Sequence, residues 1–109
     1  MSVEELSDRM VDDEWVSSSQ LLDVREDWEH ETSFLPHFAL RPFSRFPSWG
    51  PSAAAKLDPE RETVVLCHHG IRSHSVAQFL ADQGFKRVFN VSGGIDAYSR
   101  IVDPSVPRY

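Results

Sequence analysis

From residue 63 to residue 91 the chain reads strand, helix, strand, and this order limits the fold more than any other feature. The apolar run 63–67 has the length of a buried strand, and 73–83 places Val76, Phe79, Leu80 and Gln83 on one face of a helix. Gly84 supplies the left-handed residue that ends such a helix, and 88–91 is a further apolar strand. Two strands joined through a helix in this way form a parallel pair with a right-handed crossover.

The rest of the chain attaches to this unit. Ser2 and Glu5 have the spacing of a capping box, and Val3, Leu6 and Met10 share one face of the short helix that follows. Residues 20–24 read as a buried strand ending in charge, which puts Asp23 and Arg25 where α/β sheets bind their ligands. Four prolines (Pro36, Pro42, Pro47, Pro51) break 27–51 into a loop-rich segment, in which Phe34, Phe38, Phe43, Phe46 and Trp49 still need cover. Within it, 38–41 predicts a short strand with Pro42 at its end, and Pro51 opens a short helix over 52–57 that Pro59 limits. After the last strand, Gly93 and Gly94 let the chain reverse into a helix from Ile95 to about Arg100. The proline-bearing tail 103–107 is not helical.

The only cysteine, Cys67, stands where the strand meets the loop and is followed by His68, His69, Gly70, Ile71, Arg72 and Ser73. Amides of a tight turn and a helix N-terminus stabilise negative charge, and a nearby cation favours the reactive thiolate. Arg72 supplies that cation. A buried, inert cysteine would account for Cys67 alone but not for the residues after it, whereas a cysteine among histidines and a cation suits nucleophilic catalysis. In this reading Arg72 and the loop amides hold an anionic donor, or Arg72 forms a structural ion pair with Asp23, and both can hold at once. Gly70 permits a positive φ. Ser73 caps the helix and can also donate to the sulfur. His68 and His69 are expected to point outward and to set access and local potential. Trp28 reads as a packing residue.

Length and charge narrow the classes. Residues 1–109 suffice for one domain, and a net charge of −6 repels nucleic acid and anionic membranes. No apolar run approaches the roughly 20 residues of a membrane span, and the acidic start is unlike a signal peptide. A lone thiol forms no internal disulfide and points to a reducing, cytoplasmic setting. Cys67, His68, His69 and His74 lie too close in sequence for the separated pairs of a zinc site, so neither metal nor cofactor is expected, and His30 and His37 read as solvated or packing residues.

The ordered landmarks resemble the rhodanese family of sulfurtransferases, in particular its small single-domain members. The resemblance rests on Glu4-Glu5-Leu6, on Leu22-Asp23-Val24-Arg25-Glu26 with Trp28-Glu29, on Cys67 through Ser73, on Gly84-Phe85, and on Val91-Ser92-Gly93-Gly94-Ile95. It implies a three-layer α/β sandwich about a mostly parallel sheet of four to five strands, with helices on both faces and the first edge strand shortened or absent. It also implies that Cys67 carries sulfur as a persulfide, taken from a donor such as thiosulfate and passed to cyanide, a thiol or a protein acceptor. Arg25 then lies near the site, with an ion pair to Glu26 or Asp27 as the structural alternative. Where the family commonly has Gly-His-Ile-Pro-Gly-Ala, this chain reads Ser33-Phe34-Leu35-Pro36-His37-Phe38-Ala39 and keeps Pro36 and Ala39.

Two rivals stay open at this point. Cysteine-dependent phosphatases and arsenate reductases share the cysteine-loop-arginine plan, but with longer loops than the four residues between Cys67 and Arg72. A carrier-like module of the same family, loaded only by a partner, is the rival from outside enzymology.

Overall fold

The computed structural model describes residues 1–109. Helices α1 (Val3–Met10) and α2 (Asp13–Ser18) precede β1 (Gln20–Asp23), and α3 (Asp27–Thr32) leads to β2 (Ala39–Leu40). A 3-10 turn (Phe43–Arg45) opens α4 (Phe46–Lys56), after which come β3 (Thr63–Leu66), α5 (Ile71–Asp82), β4 (Val88–Asn90) and α6 (Gly94–Ala97). A π-helical turn (Tyr98–Val102) extends α6.

Every strand pair is parallel, in the order β2-β1-β3-β4. Alternation along the strands splits the core in two. Leu21, Val64 and Leu66 face Val3 and Leu6 of α1 and Ile95 and Ala97 of α6, while Leu22 and Val65 face Val76 and Leu80 of α5, with Trp49 of α4 packed against them. This is the three-layer sandwich with helices on both faces, and its sheet has four strands. The chain leaves β1 toward β2 on one side and returns to β3 on the other, so the carboxyl ends of β1 and β3 flank a topological switch point, the usual ligand position in open α/β sheets.

Several elements depart from the sequence-based expectations. Helix α5 starts at Ile71 and not Ser73, because Gly70 takes a left-handed φ of 98° and lets the helix begin at once. Helix α4 runs from Phe46 and not from 52, with Pro51 inside it. The hydrogen bond lost at Pro51 is offset by aromatic packing of Phe46 on Phe43, Trp49 and Phe79. The short helix α3 stands within the segment expected to be loop-rich, and α2 occupies a stretch for which no element was expected. Asp12 caps α2 by accepting from the Glu14 and Trp15 amides, and Glu26 and Glu29 form a capping box on α3. Phe34 is exposed instead of covered, its ring stacked on His30. Gly84 ends α5 with a φ of 93° as expected.

Candidate active site

Strand β3 ends one residue before Cys67, whose side chain is 1% exposed. The start of α6 holds the loop backbone from below: the Ile95 amide donates to the Cys67 carbonyl at 2.9 Å and the Asp96 amide to the His68 carbonyl at 3.1 Å. Gly94 makes this approach possible, since a Cβ there would overlap both carbonyl oxygens. Above the strand end the Gly70 amide donates to Cys67 Sγ at 3.0 Å, and Ser73 Oγ lies 3.1 Å from the same sulfur.

Ser73 therefore works differently from the expected cap. Because α5 begins at Ile71, Ser73 sits in its first turn, fully buried, with its hydroxyl on the sulfur and on Asn90 Oδ1. Asn90 Nδ2 in turn donates to the Gly70 carbonyl at 3.0 Å, which ties β4 to the loop. Asn90 is absent from the sequence reading. A polar residue closing the apolar run Val88-Phe89 was the available signal, and the structure sets it in register with Val65.

The charged residues pair in an order that differs from expectation. Asp23 and Arg25, two apart on extended chain, point the same way and form a fully buried ion pair, with Arg25 Nε at 2.9 Å and Nη2 at 2.6 Å from the carboxylate. The Ser33 carbonyl accepts from Arg25 Nη2 at 2.7 Å, and the Glu29 carbonyl and Tyr109 hydroxyl accept from Nη1. Glu26 and Asp27 are thus not its partners: Glu26 is taken by the α3 cap and Ser44, and Asp27 by Arg45. Arg72 pairs with Glu29 and not with Asp23, its two terminal nitrogens lying 2.6 and 2.8 Å from the two carboxylate oxygens. Tyr109 donates to Glu29 Oε2 at 2.7 Å. Glu29, named only as part of the Trp28-Glu29 landmark, and Tyr109 have no site role in the sequence-based expectations. Glu29 is buried on a helix without an apolar face, and Tyr109 reaches Glu29 from 80 residues away.

Burial alone would raise the Glu29 carboxyl, but hydrogen bonds from Arg72, the Glu26 amide and Tyr109 outweigh it and hold the group at about 2. The same pair raises Arg72, and burial pushes the Tyr109 hydroxyl up to about 12. Glu29 then binds its proton later in the folded chain than in the unfolded one. Its contribution, about 3 kcal/mol, is complete above roughly pH 4.5 and lost as pH falls toward 2. Denaturant unfolding between those limits should show wild type losing that much more stability than Glu29→Gln; parallel losses would remove Glu29 from the account.

An aromatic stack crosses the rim. His68 lies between His69 (ring centroids 3.9 Å apart) and Tyr109 (4.0 Å, 10° between planes), and Trp28 meets Tyr109 edge-on at 5.7 Å. His68 is accordingly packed and not outward-facing, because the Tyr109 ring covers it. Burial, then the neighbouring His69, lowers its pKa. His69 does face solvent, 3.8 Å from Asp96. Trp28 is 60% exposed and Ile71 78%, so Trp28 packs along one edge only. Potential metal-donor atoms of His68, His69 and Asp96 lie within 4.8 Å of one another. Stacked imidazoles run their lone pairs side by side, however, and Asp96 already takes Arg100 at 3.0 Å and Arg108 at 3.2 Å. The residues present do not fit a metal well. No helix is long and apolar enough to cross a membrane.

Residues 2–101 match the family model described as Rhodanese-like domain. The chain is 49% identical over its full length to the "Rhodanese-like/PpiC domain-containing protein 12, chloroplastic" of Arabidopsis thaliana, and spans 36% of that relative's length. Over 45 residues, 41% of this chain and 42% of the other, it is 47% identical to the "Thiosulfate sulfurtransferase GlpE" of Actinobacillus pleuropneumoniae. Among solved structures it resembles a rhodanese-like domain protein from Staphylococcus aureus, with a TM-score of 0.74 and 26% identity over 90% of this chain and 88% of that one.

Proposed function

The chain belongs to the rhodanese-like domain family, and from that premise we propose that it is an enzyme that moves sulfane sulfur through a persulfide on Cys67. The observation that carries the reading is the setting of Sγ, which receives the Gly70 amide at 3.0 Å and touches Ser73 Oγ at 3.1 Å where β3 meets α5. The Cys67 thiolate attacks the outer sulfur of the donor, the donor's S–S bond breaks, and the leaving group departs with the electron pair, as sulfite when the donor is thiosulfate. A thiol or cyanide then attacks the outer persulfide sulfur and releases the Cys67 thiolate. Two separate half-reactions give ping-pong kinetics.

In this reading His68, His69, Gly70, Ile71, Arg72 and Ser73 form the ring around the transferred sulfur, and the Asp23–Arg25 pair supports it from β1. With α5 starting at Ile71, the ring is short, which favours one sulfur atom over a tetrahedral oxyanion. Residues 1–109 act as one unit, in a reducing compartment that suits a lone reactive thiol, such as the cytoplasm. A partner-loaded carrier is the second reading, favoured by the exposed Trp28 and Ile71 at the rim.

Incubating the purified chain with an organic persulfide or excess thiosulfate should raise its intact mass by one sulfur atom, confined to the Cys67 peptide and removed by cyanide with catalytic turnover. An aryl phosphate should be left intact. Phosphate cleavage without a detectable persulfide would promote the phosphatase, and loading only from a protein donor would promote the carrier.

A further inference from the structure

Resting on the sulfur-transfer reading, we infer that the Arg72–Glu29–Tyr109 clasp withholds the loop's cation from small dianionic donors, so that the site selects an organic persulfide over thiosulfate. Thiosulfate presents its transferable sulfur on a doubly charged body. Holding such a body beside an ionised thiolate requires cations free to face it, because desolvated charge is costly unless paired.

Both arginines of the site are already committed. Both terminal nitrogens of Arg72, on α5, lie on the Glu29 carboxylate of α3. Arg25, after β1, is spent on Asp23, the Ser33 and Glu29 carbonyls and the Tyr109 hydroxyl. Of the loop histidines, His68 is packed under Tyr109 with its Nε2 buried and unpartnered, and His69 faces Asp96. Arg100 of the π-helical turn and Arg108 of the tail hold that same Asp96. Two arginines and two carboxylates thus cancel beside Cys67, and ionising the thiol adds a negative charge. Glu29 cannot release Arg72 at ordinary pH, since its carboxyl stays ionised down to about 2.

An organic persulfide R–S–SH meets a different set of groups. Its terminal sulfur carries no sulfonate, and its carbon body can lie on the exposed Trp28, the Tyr109 edge and Ile71. The step balances without an oxidant: Cys67–S⁻ attacks the terminal sulfur, the donor's S–S bond breaks as the Cys67 Sγ–S bond forms, and R–S⁻ leaves with the electron pair, giving Cys67–S–SH. Glu29 acts through Arg72 and is a positioning residue that sets donor choice.

The test compares thiosulfate with cysteamine persulfide as donors to the full chain, with cyanide as acceptor. Wild type should favour the persulfide in kcat/KM. Glu29→Gln, which keeps the shape but removes the charge, should raise the thiosulfate-to-persulfide ratio about tenfold, mainly through a lower thiosulfate KM. Adding Arg72→Ala to Glu29→Gln should cancel that gain. A second measurement needs no variant: with Arg25 and Arg72 both paired to carboxylates, thiosulfate kcat/KM in wild type should stay flat or rise with salt. A steep fall with salt, equal use of both donors, or an unchanged ratio in Glu29→Gln overturns the inference and leaves sulfur transfer standing. Failure of either donor to load Cys67 overturns sulfur transfer itself, and the inference with it.

Discussion

Replacing Cys67 by serine should abolish sulfur transfer and leave the fold in place. Serine is close in volume to cysteine, and its hydroxyl can still accept from the Gly70 amide that now reaches Sγ at 3.0 Å. The hydrogen bonds from α6 to the loop carbonyls do not involve the sulfur, and in the α5-side core Cys67 is one small member beside Leu22, Val24, Val65, Val76, Leu80 and Phe85, whose packing a serine of similar volume leaves in place. A hydroxyl is hardly ionised at neutral pH and forms no persulfide, so turnover with either donor should fall by roughly a thousandfold or more. Thermal unfolding should move little beside that. Transfer retained at even a tenth of the wild-type rate would sink the assignment of Cys67 as nucleophile.

The largest effect on stability should come from Asp23→Ala. Asp23 and Arg25 both have fully buried side chains, and truncating the carboxylate leaves a guanidinium inside the sheet's carboxyl end with carbonyls and a phenol but no opposite charge. Removing one partner of a buried pair typically costs about 3–5 kcal/mol, because the remaining charge is not rehydrated. Urea unfolding should show a loss of that size. Replacing both, Asp23→Ala with Arg25→Met, should recover much of it, since the pair is expensive to desolvate in the first place. A single-variant loss below about 1 kcal/mol would mean that water reaches Arg25 and that the pair is not what holds the β1 end of the site.

The parts of the site legible in the sequence share a local cause. Gly70 was readable because only a left-handed residue lets a helix start so soon after a strand, and its φ of 98° bears this out. Gly93 and Gly94 were readable for the same reason, with φ of 78° and 63°. Helix α5, strands β1, β3 and β4 and the Ser2 cap carry period and capping signals within a few residues. Helices α2 and α3 carry capping residues but no apolar period. The first buries no residue, and the second buries only Glu29, so no apolar stripe marks either of them.

The sequence by itself determined the parallel β–α–β unit, the position of Cys67 at its strand-to-helix turn, and the resemblance to the rhodanese family. These follow from periodicity, from turn residues and from neighbours along the chain. Only the tertiary structure decided the electrostatics of the site: which carboxylate takes Arg72, which takes Arg25, and that Tyr109 closes over His68 and Glu29. Glu29 lies 43 residues from Arg72 and 80 from Tyr109, whereas Asp23 reaches Arg25 because two extended residues share a side. Sequence spacing carries no record of such long-range pairs. The choice among acids of equal charge is made by which of them the packed sheet and helices bring within hydrogen-bond distance after the surrounding water has been removed.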